Sequence, residues 1–122
     1  MNIFLAIAAL LSLVTWAIHT FVGGPHAARP LLASKLGPMA KYTNYYCWHL
    51  VTLTLFAMAA GFGYAAVVPE GRDVAILLTI LSAGFAVWSL ILVGISRRSP
   101  VELPQWILFI AITIPAVAGI CR

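Results

Sequence analysis

His19, His26 and His49 are the only three imidazoles of the chain, and the last of them lies in the stretch YYCWHL, which also brings Tyr45, Tyr46 and Cys47. Imidazole nitrogen and thiolate sulfur suit copper and zinc, so His19, His26, His49 and Cys47 form one candidate metal set. Two imidazoles from neighbouring helices at matching depth can supply the axial nitrogens of a haem b iron, which selects His19 and His49. A His and a Tyr beside an apolar slot can hydrogen-bond a quinone carbonyl, which adds Tyr45 to that pair. The separations fit no compact metal motif: there is no HExxH, no CxxC and no carboxylate close by. A structural reading stands beside these three. Tyr and Trp side chains gather at membrane interfaces in any case, and a neutral imidazole can be satisfied by a hydroxyl or carbonyl of the next helix.

The elements that would position these groups follow from composition. Of 122 residues, 63% are hydrophobic and 8% charged, too little polar surface for a water-soluble globule. Four apolar runs, 3–22, 45–68, 74–95 and 103–120, approach or reach the roughly 20 residues that cross a hydrocarbon core. The expected fold is all-α: a polytopic membrane protein forming one four-helix bundle over residues 1–122. The first run lacks the basic leader of a secretory signal and is read as a retained helix.

Orientation follows from Lys and Arg, which accumulate on the cytoplasmic side of short loops. Arg29, Lys35 and Lys41 lie in the first connection and Arg97 and Arg98 in the third, whereas the opposite face has only Arg72 and Arg122. Both termini are therefore expected on the periplasmic side of a bacterial cytoplasmic (inner) membrane. The net charge of +4 is explained by this asymmetry and gives no case for nucleic acid.

Punctuation defines the connections. Gly23-Gly24-Pro25 should stop the first helix and open a longer cytoplasmic loop, 23–44, in which Pro30 to Gly37 could form a short interfacial piece ended by Gly37-Pro38. Pro69 and Gly71 mark a tight turn, after which Asp73 should cap the third helix. Pro115 should open a gap in the fourth, with Thr113 helping to satisfy the backbone.

Polar and small residues repeat at helical spacing: Ser12, Thr15, Trp16 and His19; then Tyr45, His49, Thr52, Phe56, Ala59 and Gly63; then Thr79, Ser82, Ala86, Ser89 and Ser96. Such stripes are what helices use to pack in lipid, where close approach and interhelical hydrogen bonds replace the hydrophobic drive. Cys47 and Cys121 are expected at opposite faces, too far apart to bridge.

The four-helix plan is similar to that of the small multidrug resistance transporters, whose membrane-embedded carboxylate has no counterpart here, since Glu70, Asp73 and Glu102 fall in loops or at helix ends. It is also similar to the small fluoride channels, whose Gly-rich and Asn-bearing pore motifs are absent. The stretches HTFVGGPHAARPLLAS and YTNYYCWHLVTL resemble, over the first half of the chain, a group of small four-helix bacterial and mitochondrial membrane proteins of unknown function. That resemblance implies a fold and a membrane location and supplies no activity. The function expected is that of a non-enzymatic accessory or interaction subunit, in a homo-oligomer or larger complex in the lipid bilayer. The alternatives are a haem-, metal- or quinone-binding protein and a small oligomeric transporter.

Overall fold

The computed structural model describes residues 1–122. The chain is all-α, built as four helical rods: α1 (Ile3–Ala33), α2 (Pro38–Val67), α3 (Pro69–Ser96) and α4 (Gln105–Ile120). The first three, of 31, 30 and 28 residues, are long and apolar enough to cross a membrane. The fourth has 16 residues, about 24 Å at roughly 1.5 Å per residue.

Hydrogen bonds at one end define how the rods are stacked. The Asn2 amide N–H donates to the carbonyl of Ala66 at 2.7 Å, its Nδ2 donates to the carbonyl of Gly119 at 2.8 Å, and its Oδ1 accepts from the Leu5 N–H at 3.3 Å, capping α1. Arg72 reaches the Ile120 carbonyl at 3.3 Å, and the Arg122 guanidinium lies 4.6 Å above the Phe4 ring. The start of α1, the α2–α3 turn and the end of α4 therefore meet, and each rod runs antiparallel to the next. α1 packs against α2 and α4, α3 against α4, and α2 touches α3 more sparingly.

Leu5, Ala8, Leu55, Met58, Phe62, Ala65, Ala66, Ala75, Ile112 and Ala116 form the core. Only 19 of the 122 residues are buried. Leu10, Leu53, Leu77, Ile80 and Ile95 are among the large apolar side chains left outside, an amount of exposed apolar surface that a water-soluble monomer does not carry.

Of the stripe expected on α3, Thr79, Ser82, Ala86 and Ser89 are buried, while Ser96, in the last turn, is exposed. On α2 the inward face is instead Leu55, Met58, Phe62, Ala65 and Ala66. Phe56 and His49 are exposed and Thr52, Ala59 and Gly63 half-buried, with Thr52 against His19, Phe56 against Trp16 and Gly63 nearest Ala9 of α1. The α2 stripe is thus displaced around the helix from its expected position: the core takes the larger apolar surface and leaves the hydroxyl and small residues to the seam.

The expected loop over 23–44 is a second correction. α1 continues through Gly23-Gly24-Pro25 as a π-helix, Ile18–Ala28, then returns to α winding over Arg29–Ala33, and only residues 34–37 are non-helical. In a π-helix the N–H reaches back five residues rather than four, as the Arg29 N–H does to Gly24. Pro25 has no N–H and in α winding its ring would meet the Phe21 carbonyl; the wider spiral removes that clash. Pro38, expected to end a segment, instead begins α2, with Gly37 as its extended N-cap residue. Asp73 is not a cap: α3 opens as a 3-10 turn, Pro69–Gly71, and winds as α-helix from Arg72, with Gly71 at the N-cap of that α-helical part and Asp73 in its first turn, where its charge suits the helix dipole. Pro115 is carried inside an unbroken α4. Thr113 Oγ1 lies 2.7 Å from the Phe109 carbonyl oxygen and 3.0 Å from Ser82 Oγ, so its hydroxyl joins α4 to α3 instead of filling a gap at Ala111.

Candidate functional site: the α1–α2 seam

α1 and α2 approach closely because Gly23 has no side chain. A Cβ placed there would lie 2.7 Å from Trp48 Cη2, closer than side-chain atoms pack, so the indole occupies the space that glycine leaves. Trp48 then extends along α1 and stacks on His19, with ring centroids 3.9 Å apart and planes 21° from parallel. His19 stands in the first turn of the π segment. Its Nε2 lies 3.0 Å from Thr52 Oγ1 and 3.3 Å from the Trp48 carbonyl oxygen. Thr52 Oγ1 donates to that same carbonyl at 3.1 Å.

Chemistry follows from these distances. Thr52 Oγ1 can donate or accept and the carbonyl only accepts, so His19 is bonded to α2 through Nε2 in either tautomer. The nitrogen facing the seam is therefore engaged by α2, and a metal ion there would have to displace the Thr52 contact. One face of the ring is covered by the Trp48 indole, which a macrocycle on that side would have to displace.

The other residues singled out in the sequence are dispersed around this seam. His49 is exposed and meets Tyr45, one turn earlier on α2, edge to face at 4.7 Å and 82°. His26 is exposed at the far end of the π segment, with Nδ1 2.8 Å from the Val22 carbonyl oxygen of its own helix. Cys47 is exposed, as is Cys121 at the opposite end of the bundle. No group of three His, Cys, Asp or Glu side chains comes together to hold a metal ion. His19 and His49 are not an axial pair, since one turns into the seam and the other away from it.

The partners of His19 are residues whose significance the spacing pattern hid. Thr52 belonged to an α2 stripe and Trp48 to an interfacial belt, yet their i, i+4 relation is what lets one carbonyl serve both the hydroxyl and the imidazole. Beyond this triad, Trp16 packs edge to face against Phe56 at 5.8 Å and Phe21 at 6.0 Å, continuing the aromatic seam inward. Compared with known proteins, the chain matches no family model, no curated protein and no solved structure.

Proposed function

We propose that the chain is a four-span protein of a bacterial inner membrane, with both termini periplasmic. In this reading it is a non-enzymatic accessory or interaction subunit of a homo-oligomeric or larger membrane assembly, and it meets its partner on the Tyr45–His49 flank of α2. The observation that carries the reading is the outward position of His49, whose only close aromatic contact is Tyr45. An ionisable side chain on a membrane helix almost always faces a bundle interior, a water-filled cavity or another polar group. His49 faces none of these within its own chain, so a neighbouring subunit is what completes its surroundings. His19, by contrast, is already satisfied inside the seam.

The test is a photo-crosslinking amino acid placed at Tyr46, exposed beside this flank, in cells, followed by purification in mild detergent. A discrete crosslinked species, a dimer of the chain or a heteromer, that disappears in His49→Ala supports the reading. Only lipid adducts, unchanged in His49→Ala, sink it. Orientation is read separately with a membrane-impermeant maleimide on spheroplasts. Cys121 should react from outside, and a Cys introduced as Ser99→Cys only after permeabilisation. Reaction of both from the same side would remove α4 as a span.

A further inference from the structure

On the side of the bundle away from the His19 seam, a cleft of about 230 Å³ opens between α2, α3 and α4. Its walls are Phe85, Trp88 and Leu92 of α3 and Phe109 of α4, closed from α2 by Val51; its only polar lining residues are Ser89 and Gln105. Phe85 and Phe109 meet edge to face at 5.1 Å at its base. Trp88, 63% exposed, forms its outer lip.

Ser89 is the telling residue. Five polar residues are buried in the bundle: Ser12, Thr15, Thr79, Ser82 and Ser89. The first three donate to the carbonyl four residues back, of Ala8, Leu11 and Ala75, and Ser82 donates across to the Phe109 carbonyl. Ser89, with 8% of its surface exposed, makes no such bond, although the Phe85 carbonyl is its usual helical partner. Its hydroxyl borders the cleft without being fully enclosed, the one fully buried side-chain oxygen without a partner being Thr20 Oγ1; a donor facing an apolar cleft with no acceptor is unfavourable.

We propose that this cleft binds the head of a membrane-soluble ligand of the prenylated quinone class: a small planar ring bearing hydrogen-bond-accepting carbonyls, with an apolar tail that leaves into the bilayer. The Ser89 hydroxyl donates to one carbonyl at the bottom of the cleft, and the exposed Gln105 amide, at the first turn of α4, is the second donor at the rim. The faces of Phe85, Trp88 and Phe109 pack on the ring. Size restricts the ligand, because pockets that enclose a drug-sized molecule run to about 300–1,000 Å³; this one holds a single ring and leaves the remainder outside. An acyl chain fills the same volume but leaves Ser89 unpaired. The site is separate from the His49 flank, so each can fail without the other.

The experiment uses the full chain in phosphatidylcholine nanodiscs, titrated with a decyl-substituted benzoquinone while tryptophan fluorescence is followed. Saturable quenching is expected, most of it lost in Trp88→Phe, and Ser89→Ala should weaken binding about tenfold with an unchanged thermal midpoint. Gln105→Leu, on the exposed rim, carries the same expectation should Ser89→Ala fold poorly. Quenching that rises linearly with quinone in the bilayer and is equal in all variants would show partitioning alone and overturn the proposal. Displacement of the quinone by brominated-acyl phosphatidylcholine as effectively from Ser89→Ala as from the parent would assign the cleft to lipid chains and overturn it too.

Discussion

His19 and Trp48 stack face to face across the α1–α2 seam, 3.9 Å between centroids, and the indole is there because Gly23 yields the space. The contact has three parts: a glycine that admits the ring, a ring that covers the imidazole, and a carbonyl and hydroxyl on α2 that bind its Nε2. Each part can be removed separately.

Gly23→Ala should be destabilising, because its methyl would meet Trp48 at 2.7 Å. Overpacking of this kind costs about 1–3 kcal/mol. Gly24→Ala, next in the chain and with no atom within 4 Å of its added Cβ, should be neutral or stabilising by up to about 1 kcal/mol. Thermal unfolding of the two variants in detergent checks this, and equal midpoints would contradict the close approach.

Thr52→Val keeps the volume and deletes the hydroxyl that His19 Nε2 faces at 3.0 Å. A loss of roughly 0.6–1.7 kcal/mol is expected, the range of interhelical hydrogen bonds in bilayers. His49→Ala should leave the isolated protein's midpoint within about 0.5 kcal/mol of the parent, as for an exposed side chain. The contrast between two residues three apart on one helix is read by the same melting curves.

The protein purified from its native membrane should show no Soret band and no stoichiometric copper or zinc. This follows from the contacts of His19 Nε2 with α2 and from the dispersal of His26, His49 and Cys47. Visible absorption and metal analysis of one sample decide it, and a Soret band lost in His19→Ala would overturn the hydrogen-bonded assignment.

Ser82 and Thr113 should be coupled. Their hydroxyls lie 3.0 Å apart and share the Phe109 carbonyl, so Ser82→Ala and Thr113→Val should be non-additive by at least about 0.5 kcal/mol. A double-mutant cycle giving simple additivity would break the α3–α4 link.

Much of the bundle was legible before its coordinates. The helices announce themselves by apolar length, and the α3 stripe from Thr79 to Ser89 is found where its spacing placed it, because one helix face repeats every 3.6 residues. What misled was punctuation. Gly23, Gly24, Pro25 and Pro38 read as breakers under α geometry, whereas a change of winding absorbs Pro25 and a helix start absorbs Pro38; Pro30 stands in the first turn of its segment, as read. At the candidate site, depth correctly set His19 opposite the beginning of the second apolar run. It could not select among Trp48, His49 and Thr52, which share that depth and differ only in azimuth. The Ser89 cleft left no trace in the pattern, since a serine that bonds its own helix and one that does not are spelled alike.

In the four-span arrangement proposed above, the unequal rods would have a mechanical consequence for the bilayer. α2, of 30 residues, is about 45 Å long and α4, of 16 residues, about 24 Å, on either side of the roughly 30 Å of an average hydrocarbon core. Lipids beside α2 meet surplus helix, while those beside α4 must thin to cover its ends, at a fraction of a kcal/mol per Å. In that arrangement the α4 edge would impose a local dimple on the membrane. Neighbours with equally short apolar belts relieve that dimple by gathering against it, which sorts the protein toward thinner bilayer and toward particular company before any specific contact forms.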